Sequence, residues 1–182
     1  MPTIAFFLGS ALLAWLSRRA LRHPGSHGFT RFFAWEAILA LLVLNGPYWF
    51  VDRFAPHQLA SWVLLFASLG VLGAGLHGLR RVGRPQAGRE DDPTLFAFER
   101  TTALVTDGIF RYLRHPLYAS LLLLAWGLFC KQPGPLAGLC AALASLFLVL
   151  TARRDEAECL AHFGEAYRLY MSRSKRFVPF LF

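Results

Sequence analysis

The sequence predicts an all-α integral membrane protein with about five transmembrane helices and a cytosolic C-terminal helix. Three observations carry that expectation. Hydrophobic residues make up 55% of the 182 and charged residues only 16%, with a mean hydropathy of +0.42, which is too apolar for a soluble domain of this size. Five apolar segments follow one another, at about 3–16, 32–51, 58–79, 117–129 and 136–151. Of the 19 Lys and Arg residues, 17 fall in the loops and tail on one side of those segments, and only Arg53 and Lys131 on the other.

The first segment is followed, not preceded, by Arg18, Arg19 and Arg22, and it lacks a small-x-small cleavage site; it reads as a retained helix. The second and third have comfortable spanning length. In the second, Glu36 reads as a carboxylate snorkelling from the first turn, and Asn45 and Pro47 as a kink near the outer boundary. The fourth and fifth are short against a hydrocarbon core of ~30 Å, so each must borrow interfacial residues. Lys131-Gln132-Pro133-Gly134-Pro135 turns them into a hairpin.

Between the third and fourth segments, residues 84–93 read as solvated and irregular, followed by an apolar stretch around a turn at Asp107-Gly108. Arg111, Tyr112, Arg114, His115 and Tyr118 then crowd the boundary of the fourth segment, where ionisable groups mark a binding site. Pro116 suits the first turn of a helix, which puts His115 at its N-terminus, an end suited to a carboxylate or phosphate. After the fifth segment a polar helix is expected to run to about Tyr170. Glu156, Leu160, Phe163, Tyr167 and Tyr170 share one of its faces, and Asp155, Cys159 and His162 a neighbouring one. Glu158 reads as a solvated partner of Arg154, four residues before it.

The charge asymmetry places the N-terminus outside and the long loop and C-terminus in the cytosol, in a bacterial inner membrane. The net charge of +8 is then a property of the cytosolic face, met by anionic lipid and not by nucleic acid. Cys130, Cys140 and Cys159 are odd in number and widely spaced, and Pro24-Gly25 separates His23 from His27, so neither a disulfide framework nor a metal site is expected. One domain over 1–182 is expected, with N-terminal helices at 1–80 and a catalytic region at 95–182.

The ordered run Leu104-Val105-Thr106-Asp107-Gly108-Ile109-Phe110-Arg111-Tyr112-Leu113-Arg114-His115-Pro116-Leu117-Tyr118, an apolar hairpin, Asp155-Glu156 ahead of Phe163-Gly164, then Tyr167, Tyr170 and Pro179, resembles the isoprenylcysteine carboxyl methyltransferase family. Phospholipid methyltransferases are similar in the same regions. The resemblance implies a membrane enzyme that takes S-adenosylmethionine from the cytosol and methylates a lipophilic or small amphiphilic acceptor (carboxylate, thiol or amine). It places cofactor binding on Thr102, Ala103, Leu104, Val105, Phe110, His115, Pro116, Leu117 and Tyr118, with Asp155 and Glu156 holding the cofactor ammonium. Arg114 and Glu156 are the catalytic candidates. Phe110 stands where the family usually has Tyr, and Asp155 where it has Glu. Thr151 stands where the isoprenylcysteine enzymes have a substrate-binding Arg, which leaves Arg153 and Arg154 as substrate-binding candidates. Two other readings remain: an NADPH-dependent reductase of the sterol and steroid type, which shares a related C-terminal region, and a non-enzymatic membrane scaffold.

Overall fold

The computed structural model describes residues 2–82 and 103–178. The irregular stretch 84–93, the site candidate Thr102 and Pro179 lie outside the described residues. Among the described residues six α-helices follow in order: α1 (Pro2–Leu16), α2 (His27–Asn45), α3 (Pro56–Val82), α4 (Pro116–Phe129), α5 (Pro135–Phe163) and α6 (Glu165–Arg173). Short 3-10 turns occupy Ala20–Arg22, Gly46–Tyr48 and Gly108–Arg111. Three stretches, His27–Tyr48, Pro56–Arg81 and Pro135–Phe163, are long and apolar enough to cross a membrane, and α1 and α4 are shorter apolar helices.

The fifth segment differs from expectation. Its apolar run ends at Thr151, but the backbone continues through Ala152–Phe163, a stretch of good helix formers without Gly or Pro. The resulting 29-residue helix is ~44 Å long against a ~30 Å hydrocarbon core, so about nine residues project beyond it. Asp155 and Glu156 stand where α5 leaves the apolar layer. The helix then stops at Gly164, whose φ of 57° and ψ of −129° favour glycine. Tyr167 and Tyr170 therefore sit on a separate helix, α6, and not on a continuation of the Glu156 face.

Packing follows small residues. Ala137, Ala141, Ala144, Leu148 and Ala152 form the buried stripe of α5, narrow enough for α2 to approach with its own stripe of Ala34, Ile38 and Leu41. On the outward faces, Leu136, Leu139, Leu143 and Leu146 of α5 and Leu59, Val63, Phe66 and Leu69 of α3 are exposed at helical spacing, as lipid-facing side chains are. α3 packs on α4, and α1 leans on α2 alone among its principal contacts. Buried polar side chains pin the helices through backbone carbonyls: Asn45 Nδ2 donates to Leu128 O (2.6 Å), Ser61 to Gly127 O (2.7 Å) and Ser68 to Ser120 O (2.7 Å).

Three charged residues depart from their sequence readings. Glu36 is not at the first turn; it sits mid-way along α2 and accepts from the Ser10 hydroxyl of α1. Arg31, counted among the loop cations, lies inside α2 and is buried at 4% exposure. Lys131, at the hairpin turn, is fully buried, with Nζ donating to Gln58 Oε1 (3.1 Å) and lying 3.5 Å from the Trp62 ring centroid. Burial lowers its pKa.

Candidate functional site

The segment before α4 is folded onto α3 and α6. Gly108 takes a φ of 62° to open the 3-10 turn, which delivers Phe110 against Gly78 of α3. A Cβ there would lie 3.0 Å from the Phe110 ring, so the close approach requires glycine or displacement of the ring. Tyr170 Oη donates to Phe110 O (2.7 Å). Leu113 pairs with Lys175 in a parallel bridge: Arg114 N donates to Lys175 O (2.7 Å) and Lys175 N to Tyr112 O (3.0 Å). The chain after α6 is thereby laid beside the His-Pro turn. His115 caps α4, with Pro116 in the first turn as expected.

That pairing brings Arg176 over Glu156. Glu156 is buried and accepts from Arg114 Nε (3.0 Å), Arg176 Nε (3.1 Å) and Arg176 Nη2 (2.6 Å), with His115 Nε2 at 3.3 Å. Three of these contacts meet Oε1 and one meets Oε2, so two guanidiniums and an imidazole hold the carboxylate. The Glu156 hydrogen bond raises the pKa of Arg176. Arg114 also donates through Nη1 to Met171 O (3.1 Å) and Ser174 O. His115 is held between two carboxylates, its Nδ1 lying 3.4 Å from Asp155 Oδ2. Burial and the positive end of α4 oppose protonation of the ring, but Asp155 and Glu156 outweigh them and raise its pKa above 6.5. With an acceptor facing each ring nitrogen, the imidazolium satisfies both contacts and the neutral ring only one.

Asp155 points the other way. It accepts from Tyr118 and from Cys159 Sγ (3.6 Å) and forms part of the wall of an open cleft. The cleft encloses about 820 Å³ of empty space, mouth included. Leu104, Val105, Phe110, Arg114, His115, Pro116, Leu117 and Tyr118 line it from one side. His27, Leu79, Glu158, Cys159, Phe163, Tyr167 and Tyr170 complete it. Burial raises the pKa of both Tyr167 and Tyr170, keeping the phenols neutral.

Most of the site candidates thus share one cleft. Glu156 does not line it and sits behind the wall, clamped by arginines. Ala103 is exposed and off the cleft. Arg153 is exposed, and Arg154 donates to the carbonyls of Pro24 (2.7 Å) and Ser26 (3.2 Å). Arg154 therefore ties the loop before α2 to α5 and does not form the pair with Glu158 that four-residue spacing suggested. Glu158 instead accepts from His27 N (2.9 Å) and lies 2.6 Å from His27 Nδ1. Thr151 is fully buried and donates to Phe147 O (2.7 Å), with Thr30 Oγ1 3.1 Å away. His27 and Leu79, which line the cleft, and Arg176, which clamps Glu156, had no local sequence signal, because each reaches its place through tertiary contact alone. His27, Asp155 and Glu158 also bring one ligand atom each within 4.8 Å of one another, a grouping that could hold a metal ion.

Residues 91–166 match the family model described as phospholipid methyltransferase. That stretch contains the Asp107-Gly108 turn, the His115-Pro116 start of α4, the hairpin and Asp155-Glu156. Over that stretch the chain is similar to the phospholipid methyltransferases. Over 121 residues this methyltransferase-like chain is 27% identical to methanethiol S-methyltransferase 1 of Bradyrhizobium diazoefficiens. That alignment covers 66% of the chain but 39% of the relative. No solved structure matches.

Proposed function

We propose that this chain is a membrane-embedded S-adenosylmethionine-dependent methyltransferase acting on a lipophilic or small amphiphilic acceptor. The observation that carries the reading is the cleft itself: a carboxylate, Asp155, and a guanidinium, Arg114, share its wall with an apolar and aromatic surface from Leu104, Val105, Phe110 and Tyr167. A carboxylate beside a cation answers the ammonium and carboxylate of an amino acid. The apolar wall answers a purine ring. The donor set therefore fits the methionine and adenine ends of the cofactor.

When bound, S-adenosylmethionine supplies a sulfonium methyl whose S–CH3 bond breaks as the acceptor–CH3 bond forms, the bonding pair remaining on sulfur. Asp155 and Arg114 would hold the amino-acid end, so alignment supplies much of the catalysis, within the ~7–11 kcal/mol attainable from orientation. Glu156 would act at one remove: it fixes Arg114, Arg176 and His115, and so the wall on which Asp155 stands. A thiolate or carboxylate acceptor needs no general base. Leu117 and Tyr118 also line a second, apolar cavity between α2, α3 and α4, with about 1290 Å³ of empty space, mouth included, which supports acceptor entry from the bilayer side. The similar protein's name specifies a thiol as the methyl acceptor of that protein, which favours a soft nucleophile here. By the charge asymmetry, the cleft opens to the cytosol of a bacterial inner membrane.

Thermal unfolding in detergent separates the enzyme classes. S-adenosylmethionine is expected to raise the midpoint and NADPH to leave it unchanged, since a ligand stabilises only the fold that binds it. The reverse pattern would assign a reductase, and no shift with either would favour a scaffold.

A further inference from the structure

We infer that the groove between α3, α4 and the chain after α6 holds an anionic phospholipid, its acyl chain against the apolar wall and its phosphate at Arg111 and Lys175. The groove has about 1140 Å³ of empty space, mouth included. Val71 of α3 and Leu122 and Leu123 of α4 line it, with Tyr112, Phe177 and Val178 at the end near the His-Pro turn. It shares no lining residue with the polar cleft or with the apolar cavity. Successive residues on a helix are turned about 100° apart, so Ala119, Leu122 and Leu123 look away from the α4 face that Leu117, Ser120, Leu121 and Leu124 give to the cavity. The site is therefore separate from the one that takes the cofactor and stands independently of the methyltransferase reading.

The order of charge and apolar surface along the groove indicates a lipid. Leu123 lies seven residues into α4 from Pro116, ~10 Å along the axis at 1.5 Å per residue, so the groove descends from the helix start into the apolar layer. Two cations stand at its upper edge. The Arg111 guanidinium carbon lies 5.9 Å from the centroid of the Tyr112 ring, and Tyr112 lines the groove. Lys175 is tied to the same edge through its backbone, its N donating to Tyr112 O (3.0 Å) and its O accepting from Arg114 N (2.7 Å). Both cations are exposed, and neither forms an ion pair with a described residue. Tyr112 and Val178 are themselves exposed, so the apolar wall is accessible beside the charges. A hydrocarbon alone would use only the wall and a free phosphate only the cations; an anionic phospholipid answers both. A choline head group brings its own cation and meets like charge at Arg111 and Lys175. Occupancy also bears on the fold. Phe177 lines the groove, its ring centroid lies 6.2 Å from that of His115, and the adjacent Arg176 clamps Glu156. A bound acyl chain braces the segment that makes both contacts.

Native mass spectrometry counts retained lipid, and thermal unfolding reads the stabilisation that binding brings. The full chain in neutral detergent is titrated with dioleoyl phosphatidylglycerol, dioleoyl phosphatidylcholine and glycerol 3-phosphate. The expected result is saturable retention of phosphatidylglycerol, at least tenfold tighter than phosphatidylcholine, with a raised thermal midpoint; glycerol 3-phosphate, which lacks the chains, gives no shift. Arg111→Gln with Lys175→Gln, and separately Val178→Glu, which sets a carboxylate on the exposed edge of the groove, each weaken phosphatidylglycerol binding at least fivefold. Arg19→Gln with Arg22→Gln removes the same charge from exposed positions outside the groove and leaves binding unchanged. Equal retention of the two lipids, an equal loss in the Arg19 and Arg22 variant, or undiminished binding in the groove variants overturns the site. A midpoint shift with glycerol 3-phosphate as large as with the lipid also overturns it, by showing that the acyl chain is not held. Should the Arg111 and Lys175 variant not fold, Val178→Glu decides.

Discussion

At the scale of single residues, the adjacent pair Asp155-Glu156 shows how one helical step divides two like groups. Successive residues are turned about 100° apart on a helix, so Asp155 faces the cleft while Glu156 faces Arg114 and Arg176. Removing Glu156 alone would leave two guanidiniums without their shared carboxylate, the costly way to break a buried pair. His115 couples the two acids and gives the site a pH dependence. Its folded pKa is raised above 6.5, so the folded chain holds a proton that the unfolded chain releases. The stabilisation is fully present below about pH 6.5 and is lost as pH rises through the raised value. Thermal midpoints followed from about pH 6 to about pH 9 should fall more steeply for the unaltered protein than for His115→Gln; parallel profiles would show that the imidazolium contributes nothing. His115, Tyr118 and Asp155 were legible as chemistry crowded against an apolar run. Arg176 was not, because the bridge between Leu113 and Lys175 brings it to Glu156 across 20 residues of chain.

At the scale of elements, the helix starts were easier to read than the ends. Pro56, Pro116 and Pro135 each open a helix, where the missing N–H costs nothing. The apolar run of α5, by contrast, reports where the membrane stops and not where the helix stops, since backbone hydrogen bonding continues once charged residues reach water. The break at Gly164 has a backbone cause. Its φ of 57° with ψ of −129° lies outside the ranges open to residues with a Cβ, so Gly164→Ala should destabilise by about 1–3 kcal/mol although nothing lies within 4 Å of the added atom. Denaturant unfolding tests this, and an unchanged midpoint would show that α5 and α6 tolerate another connection. Gly164 was visible in the sequence as part of Phe163-Gly164, but its power to end the helix depends on α6 folding back so that Tyr170 reaches Phe110 O.

At the scale of the whole molecule, the membrane and the site impose one geometry. Hydrophobic composition and the one-sided distribution of cations made the helical membrane class legible, because burial in lipid leaves the backbone few alternatives to a helix. Which helices would adjoin was not legible, since small residues at α5 permit a close neighbour without naming α2. Arg31, a cation the sequence alone places among the loop charges, is buried in α2 on the wall of the apolar cavity. The polar cleft and apolar cavity meet at Leu117 and Tyr118, an arrangement suited to joining a water-soluble donor to an apolar acceptor. The decisive measurement is calorimetric titration of the detergent-purified protein with S-adenosylmethionine, alongside Asp155→Asn shown by thermal unfolding to be folded. Saturable binding by the unaltered protein, weakened at least tenfold in Asp155→Asn, is the predicted result; absence of binding, or equal affinity in the folded variant, would contradict it.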